Sequence, residues 1–156
     1  MMKVNVPSIG EFSFEYAVFD MNGTLTTEGI LLKSTKKRLD SLAKKVKIII
    51  LTADTFGKAK ETFKGLDVEL HIISSQLGSK AKSEFIKNIG EKKCIAVGNG
   101  NNDALMLKNS GLGIAILGNE GLSVKACFNA DIFAKDIDNA IDILLNEKRI
   151  IATLRL

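Results

Sequence analysis

The chain is poor in the residues that build disulfides, metal clusters and base-stacking surfaces. Its 156 residues include no tryptophan, one proline, one histidine and two cysteines. Cys94 and Cys127 lie far apart in apolar contexts and have no metal-ligand spacing, so both are predicted to be buried and reduced. The histidine, His71, lies in an apolar segment, where a packing role is commoner than a ligand role, and we assign it no function.

Long apolar runs are also missing from the sequence. No segment approaches the length that is needed to cross a bilayer, so no membrane partner is expected. The first ten residues, MMKVNVPSIG, lack the apolar stretch of a signal peptide. A cytoplasmic location is therefore expected.

The charge balance is mildly basic. Lys and Arg number 22 against 18 Asp and Glu, which gives a net charge of +4. The lysines are spread along several predicted helices, and aromatic residues make up only 6% of the chain, so a base-stacking surface is poorly supplied. No nucleic-acid partner is expected, although the excess is compatible with a weak attraction for anionic substrates.

The pattern of apolar segments predicts one α/β domain over residues 1–156. Residues 2–14 alternate around a turn and predict a small N-terminal β-hairpin. Solid apolar strands then alternate with amphipathic segments, which favours a mainly parallel central sheet with helices on both faces. The predicted strands are 17–20, 47–51, 68–73, 94–97, 113–117 and 132–133, and the predicted helices are 34–44 with Ser34 as N-cap, 55–63, 79–89, 103–108, 122–128 and 137–145.

The segment AVFDMNGTLT (17–26) is the centre of the functional argument. Three apolar residues lead into Asp20, and Asn22 and Gly23 follow at once, which predicts a buried strand that ends in a carboxylate and a turn. Ligands of open α/β sheets bind at the carboxyl ends of strands. The competing interpretation is that Asp20 only caps the turn.

Further strand ends and one helix start carry polar groups that suit phosphate chemistry. Thr52 and Ala53 follow the second predicted parallel strand, the loop 98–103 follows the fourth, and Lys82 begins a helix. Phosphoryl transfer needs the charged oxygens to be neutralised and held in line with the attacking oxygen. An aspartate can attack phosphorus and form an acyl phosphate, and Mg²⁺ between two carboxylates would screen their repulsion of the substrate.

Four segments together resemble the ordered motifs of the haloacid dehalogenase superfamily: DMNGTLT, ILTAD, Lys82 and VGNGNND. The match is closest to the phosphorylation domain of P-type ATPases and to the small soluble P-type ATPase-like hydrolases. The resemblance runs from about residue 2 to the C-terminus and implies the Rossmannoid fold of that superfamily. Segments 26–34 and 67–79 are too short for a large cap domain, so an open site or coverage by another copy in a homo-oligomer is expected.

The resemblance implies a role for each matched residue. Asp20 would be the nucleophile and a magnesium ligand, the main-chain carbonyl of Asn22 a further ligand, and Asp103 would hold the metal directly or through water. Thr52 would hydrogen-bond the phosphoryl group and Lys82 would neutralise it, with Lys80 as the rival cation. The implied phosphate-binding residues are Asn22, Gly23, Thr52, Ala53 and Lys82, supported by Asn99 and Asn102.

Two positions depart from the pattern of the superfamily. Asn22 stands where most of its phosphatases have the acid that protonates the leaving group, and Asn99 replaces the first acid of the last motif. Loss of general acid catalysis, typically worth about 10²–10⁴-fold, should hurt alkyl phosphates most. Activated phosphates, ATP among them, are thus the expected substrates, with slow turnover. The alternative is a catalytically weak phosphate-binding or regulatory protein.

Two other phosphate-binding folds fit the sequence less well. Gly98-Asn99-Gly100 lacks the third glycine of the dinucleotide-binding fingerprint. A receiver domain also uses Asp, Thr and Lys around a parallel sheet, but it needs an acidic cluster before its nucleophile and lacks the Gly-Asn-Asp loop.

Overall fold

The structure is a computed structural model that describes residues 1–53, 57–73 and 75–156. Its first two strands, β1 (Met2–Val6) and β2 (Gly10–Phe14), form an antiparallel hairpin. Alternate side chains of β1 are buried because a strand presents every second residue to the same face. These side chains join the main hydrophobic core, which confirms the predicted hairpin.

The central sheet has six strands, all parallel to their neighbours. In space the order is β5-β4-β3-β6-β7-β8, so β3 lies in the middle beside β4 and β6. Because the strands are parallel, their carboxyl ends meet at one edge, and this edge receives Asp20 at the end of β3. The strands are β3 (Tyr16–Asp20), β4 (Lys47–Thr52), β5 (Glu69–Ile72), β6 (Cys94–Gly98), β7 (Leu112–Ile116) and β8 (Ile132–Ala134).

Helices cover both faces of this sheet, and a buried apolar cluster lies on each side. This confirms the predicted α/β class. Among the described residues, no helix combines the length and the apolar character that a membrane span requires. The helices are α1 (Lys33–Ala43), α2 (Lys58–Thr62), α3 (Gly78–Ile89), α4 (Ala104–Asn109), α5 (Val124–Cys127), α6 (Ile137–Leu145) and α7 (Glu147–Leu154), with short 3-10 turns at Ser75–Leu77, Glu91–Lys93 and Asn101–Asp103.

Three local predictions need correction or fall outside the description. Helix α1 begins at Lys33 after an extended Leu32 that makes no side-chain cap, so Ser34 lies in the first turn and is not the N-cap. Cys94 is buried as predicted, but Cys127 is exposed because it lies on the four-residue α5 at the surface. The predicted start of the helix 55–63 falls on residues 54–56, which lie outside the described residues.

Candidate active site

A cavity of about 210 Å³ opens at the carboxyl edge of the sheet. Strands β3 and β4 and helix α3 contribute its walls, since parallel strands deliver their ends to the same place. Six of the residues singled out from the sequence meet here although they are spread over more than 80 positions of the chain. The lining residues are Asp20, Asn22, Thr52, Ala53, Ile73, Gly78, Lys82 and Asn102.

Lys82 is the electrostatic centre of this cavity. It lies in the first turns of α3, and its Nζ is 2.6 Å from Asp20 Oδ1 and 2.6 Å from Asp103 Oδ1. The Lys82 side chain is only 2% exposed, whereas Lys80 on the same helix faces solvent. Lys82 is therefore the buried counter-ion of the two carboxylates, and Lys80 lies outside the site.

The pKa values of Asp20 and Lys82 are both shifted from their ordinary values. Burial and the negative charge of Asp103 raise the pKa of Asp20 to about 6, against the opposing effects of Lys82 and Thr24. Burial disfavours the ammonium form of Lys82, but the charges of Asp20 and Asp103 outweigh it and raise the pKa of this lysine. The lysine thus stays charged near neutral pH, while the nucleophile candidate is ionised only above about pH 6.

Asp103 closes the loop that follows β6. Its Oδ2 accepts hydrogen bonds from the amide nitrogens of Asn99 at 3.0 Å and Gly100 at 2.9 Å, while Oδ1 faces Lys82. A Cβ on Gly98 would stand 2.5 Å from Asp103 Cγ, so only glycine allows this close approach. Both oxygens of this fully buried carboxylate already accept hydrogen bonds, so Asp103 fixes the position of Lys82 and of the loop.

The turn after β3 brings a second set of oxygens to the site. Gly23 has a φ of +79°, which favours glycine, and its N–H donates to the carbonyl of Thr26 at 2.8 Å. The Thr24 hydroxyl lies 3.0 Å from Asp20 Oδ2 and 3.1 Å from Asn99 Oδ1. Because one hydroxyl proton cannot serve two acceptors fully, the carboxylate and amide oxygens retain capacity for another partner.

This donor set fits a hard cation such as Mg²⁺, which prefers oxygen ligands. Asp20 Oδ2 and Asn99 Oδ1 both contact the Thr24 hydroxyl. Asn22, whose carbonyl oxygen is the expected third metal ligand, lines the same cavity as Asp20. Among residues 1–53, 57–73 and 75–156 no group of three or more His, Cys, Asp or Glu side chains is arranged to hold a metal. Carboxylates are thus scarce at this site, as the asparagines at positions 22 and 99 predict.

Two residues of the site were not identified from the sequence. Thr24 stands inside the DMNGTLT motif, so its proximity to Asp20 was a signal that could have been used. Glu120 lies in the loop between β7 and α5 and has no such signal. Its Oε1 accepts a hydrogen bond from the Glu28 N–H at 3.0 Å, and its Oε2 lies 2.9 Å from the point where a Cβ on Gly23 would stand.

A second cavity, of about 740 Å³, adjoins the first and shares Asn22 and Ala53 with it. Its walls hold three carboxylates, of Glu28, Glu61 and Glu120, against the single ammonium group of Lys58 among the described residues. An acidic wall therefore lies next to the smaller cavity.

Comparison with known proteins finds relatives among phosphate-processing enzymes. The sequence model of haloacid dehalogenase-like hydrolases matches residues 80–141, which include Lys82 and the loop with Asp103. An uncharacterised protein of Methanocaldococcus jannaschii is 51% identical over 76 residues, which cover 49% of this chain and 82% of that protein. A soluble P-type ATPase-like phosphatase of the same organism is 29% identical over 77% of this chain, which spans 45% of the phosphatase's length.

A solved structure gives the same answer for the fold. The 3-deoxy-D-manno-octulosonate 8-phosphate phosphatase of Moraxella catarrhalis, crystallised with magnesium, phosphate and its sugar acid, superposes with a TM-score of 0.68. The alignment covers 91% of this chain and 94% of that one at 15% identity, so it speaks for the fold alone. The family model over residues 80–141 and the soluble P-type ATPase-like phosphatase support placement of the chain in the haloacid dehalogenase superfamily, and the parallel sheet agrees with that placement.

Proposed function

We propose that the protein is a magnesium-dependent phosphohydrolase that works through a phosphoryl group bound covalently to Asp20. The observation that carries this proposal is the buried Lys82, which joins Asp20 to Asp103 at 2.6 Å each within a cavity that Thr52 and Asn22 also line. A buried carboxylate beside a fixed ammonium group provides a nucleophile together with a charge that neutralises the phosphoryl oxygens.

The reaction proceeds in two displacements at phosphorus. In the first, an oxygen of the Asp20 carboxylate bonds to phosphorus while the bond to the leaving-group oxygen breaks, and the leaving group departs with the electron pair. Lys82 and the Thr52 hydroxyl hold the phosphoryl oxygens during this transfer. In the second, water attacks phospho-Asp20, inorganic phosphate leaves, the carboxylate is restored, and the proton from water passes to solvent.

Asp20, the amide oxygen of Asn99 and the carbonyl of Asn22 would hold the Mg²⁺ ion. Bound there, it would neutralise negative charge on the transferred phosphoryl group. Asp103 would contribute negative charge near the cation and would contact it through water, since both of its oxygens already accept hydrogen bonds. Thr24 orients Asp20 and Asn99 toward one another from the turn after β3.

The leaving group is expected to depart as a stable anion. Asn22 offers no proton for it, so acyl phosphates and anhydrides should react faster than alkyl phosphates. The larger cavity further favours small acyl phosphates over ATP. The remaining phosphates of a nucleotide would lie near Glu28, Glu61 and Glu120, and Lys58 is the one cation among the described residues of that wall. Acetyl phosphate is thus the preferred probe, with ATP as the slower activated substrate.

The test is phosphate release by the purified protein with Mg²⁺ from acetyl phosphate, ATP, p-nitrophenyl phosphate and a sugar phosphate. Asp20→Asn serves as the inactive control, and Lys80→Met, on the exposed face of α3, serves as a matched control for Lys82→Met. We expect release in the order acetyl phosphate, ATP, sugar phosphate, lost in the Asp20 and Lys82 variants and retained in the Lys80 variant. Equal release by wild type and Asp20→Asn would overturn the proposal.

A second candidate function rests on the two asparagines. A phosphate-binding or regulatory protein would keep Asp20, Thr52 and Lys82 but would not need the acids that positions 22 and 99 have lost. This candidate predicts that phosphate or an acyl phosphate binds without turnover. Tight phosphate binding by calorimetry, together with no release above that of Asp20→Asn, would favour it.

A further inference from the structure

The charge at the proposed metal site falls short of what a divalent cation favours. Asp20 and Asp103 bring two negative charges, Lys82 cancels one of them, and position 99 supplies a neutral amide. The affinity of oxygen-ligand sites for divalent cations depends strongly on ligand charge. A further anionic group near Asn99 would therefore raise the affinity of the site for a divalent cation.

Glu120 is the described carboxylate that approaches Asn99 from outside the motifs. Its Oε2 and the Asn99 Nδ2 each lie 2.9 Å from the point where a Cβ on Gly23 would stand, so the two side chains flank the same gap. The backbone reinforces this placement, because Asn99 Nδ2 donates to the carbonyl of Gly121 at 3.0 Å. The Glu28 N–H donates to Oε1 of Glu120, so the oxygen of Glu120 that borders the gap at Gly23 is Oε2.

We propose that Glu120 replaces the acid that is missing at position 99, by accepting a hydrogen bond from a water bound to the divalent cation at Asp20 and Asn99. This inference rests on the metal site of the proposed function. An outer position agrees with the absence of a cluster of three acidic, His or Cys side chains among the described residues. Mg²⁺ characteristically keeps several of its waters, and an outer carboxylate is their natural acceptor.

Glu120 also has a structural contact, and the test must separate the two roles. Glu120→Gln keeps an oxygen that can accept the Glu28 N–H and removes only the negative charge. Glu28→Gln removes a charge from the same cavity wall, where the Glu28 contact to the loop is made by its backbone N–H and survives the change. Asn99→Asp restores the acid that Glu120 is inferred to replace.

The experiment is calorimetric titration of Mg²⁺ alone into the wild type, these three variants and the double variant Asn99→Asp/Glu120→Gln, each checked for folding by circular dichroism. Loss of an outer-shell partner typically weakens metal binding by about 10–100-fold. We expect about tenfold weaker binding for Glu120→Gln, unchanged binding for Glu28→Gln and tighter binding for Asn99→Asp. In the Asn99→Asp background, Glu120→Gln should have little further effect.

Three results would overturn the inference: wild-type affinity in Glu120→Gln, equal weakening in Glu28→Gln, or a full Glu120→Gln effect in the presence of Asp at position 99. Absence of any Mg²⁺ binding to the wild type would overturn it as well. The proposed function fails separately, through phosphate release that does not depend on Asp20. Mg²⁺ binding with the expected pattern in a protein that releases no phosphate would leave this inference standing alone.

Discussion

Replacing Lys82 by methionine removes the one described cation that Asp20 and Asp103 share. The Lys82 side chain is 2% exposed, and its partners at 2.6 Å are 10% and 0% exposed, so solvent cannot take over its role. Breaking a buried ion pair by removing one partner costs about 3–5 kcal/mol, because an uncompensated charge stays behind. A domain of this size is stabilised by about 5–15 kcal/mol, so the loss should be large but tolerable.

The pH dependence of this loss carries the sharper test. Without Lys82, Asp20 loses a neighbouring charge that lowers its pKa but keeps the buried Asp103 beside it, so the folded-state pKa of Asp20 rises further above the unfolded value. Such groups favour the folded state at low pH, and this contribution disappears as the pH rises through the folded-state pKa. The free energy of unfolding of Lys82→Met should therefore recover as the pH falls, with a slope of up to about 1.4 kcal/mol per pH unit for each proton taken up.

Urea unfolding followed by circular dichroism at pH 5.5 and pH 8 measures this difference. Lys80→Met is the matched control, because the same change on the exposed face of α3 should cost no more than about 0.5 kcal/mol at either pH. A Lys82→Met protein as stable as Lys80→Met at pH 8 would refute the argument. A stability difference that did not narrow at the lower pH would show that the lost interaction is packing and not charge.

Three further predictions concern the turn and the nucleophile. In Gly23→Ala and Gly29→Ala the new alanine must adopt the positive φ of the native backbone, which costs about 1 kcal/mol in both variants. Only at Gly23 does the new Cβ also approach Asn99, to 2.9 Å. Mg²⁺ titration should thus show lost affinity in Gly23→Ala and normal affinity in Gly29→Ala, and equal affinities would contradict the site. Since the pKa of Asp20 is raised to about 6, kcat/KM for acetyl phosphate should fall roughly tenfold per pH unit below this value. Higher Mg²⁺ concentration should move this decline to lower pH because the cation competes with the proton, and a pH profile insensitive to Mg²⁺ would argue against Asp20 as a ligand. Asn22→Asp should raise sugar phosphate release relative to acetyl phosphate release by up to about 10²-fold, and an unchanged ratio would remove the explanation for substrate preference.

The fold could be predicted largely because burial leaves a direct mark on this sequence. Continuous β-branched runs such as KIIIL correspond to strands covered on both faces, and their alternation with amphipathic segments identified the parallel sheet. Helix ends were less accurate, because they depend on cap geometry that the sequence expresses weakly. Ser34 is a good N-cap residue by type, yet the N-cap of α1 is Leu32, two residues earlier, and the helix begins at Lys33.

The exposure of Cys127 could not be read from its neighbours. The residues around it are apolar, and apolar context usually indicates burial. Burial, however, depends on which face of a helix meets the sheet, and on α5 the covered residue is Ala126, while Val124 and Phe128 are exposed. The apolar composition of this segment therefore does not reveal which of its side chains face the sheet.

The same distinction explains which parts of the site could be predicted. Asp20, Thr52 and Asp103 lie at or just after the ends of predicted strands, and a parallel sheet brings such ends together whatever the details of packing. Glu120 reaches the site through a hydrogen bond to Glu28, 92 residues away, within a loop that has no periodic pattern. Contacts of this kind depend on tertiary structure, so the local sequence around Glu120 does not predict them.

The measurement that tests the account most directly is detection of the acyl phosphate itself. The protein is mixed with acetyl phosphate and Mg²⁺, quenched in acid within milliseconds to seconds, and analysed by intact-protein and peptide mass spectrometry. We expect one phosphoryl group on the peptide that contains Asp20, removed by hydroxylamine, missing in Asp20→Asn and retained in Lys80→Met. Phosphate release that proceeds without this adduct, or an adduct that persists in Asp20→Asn, would contradict it.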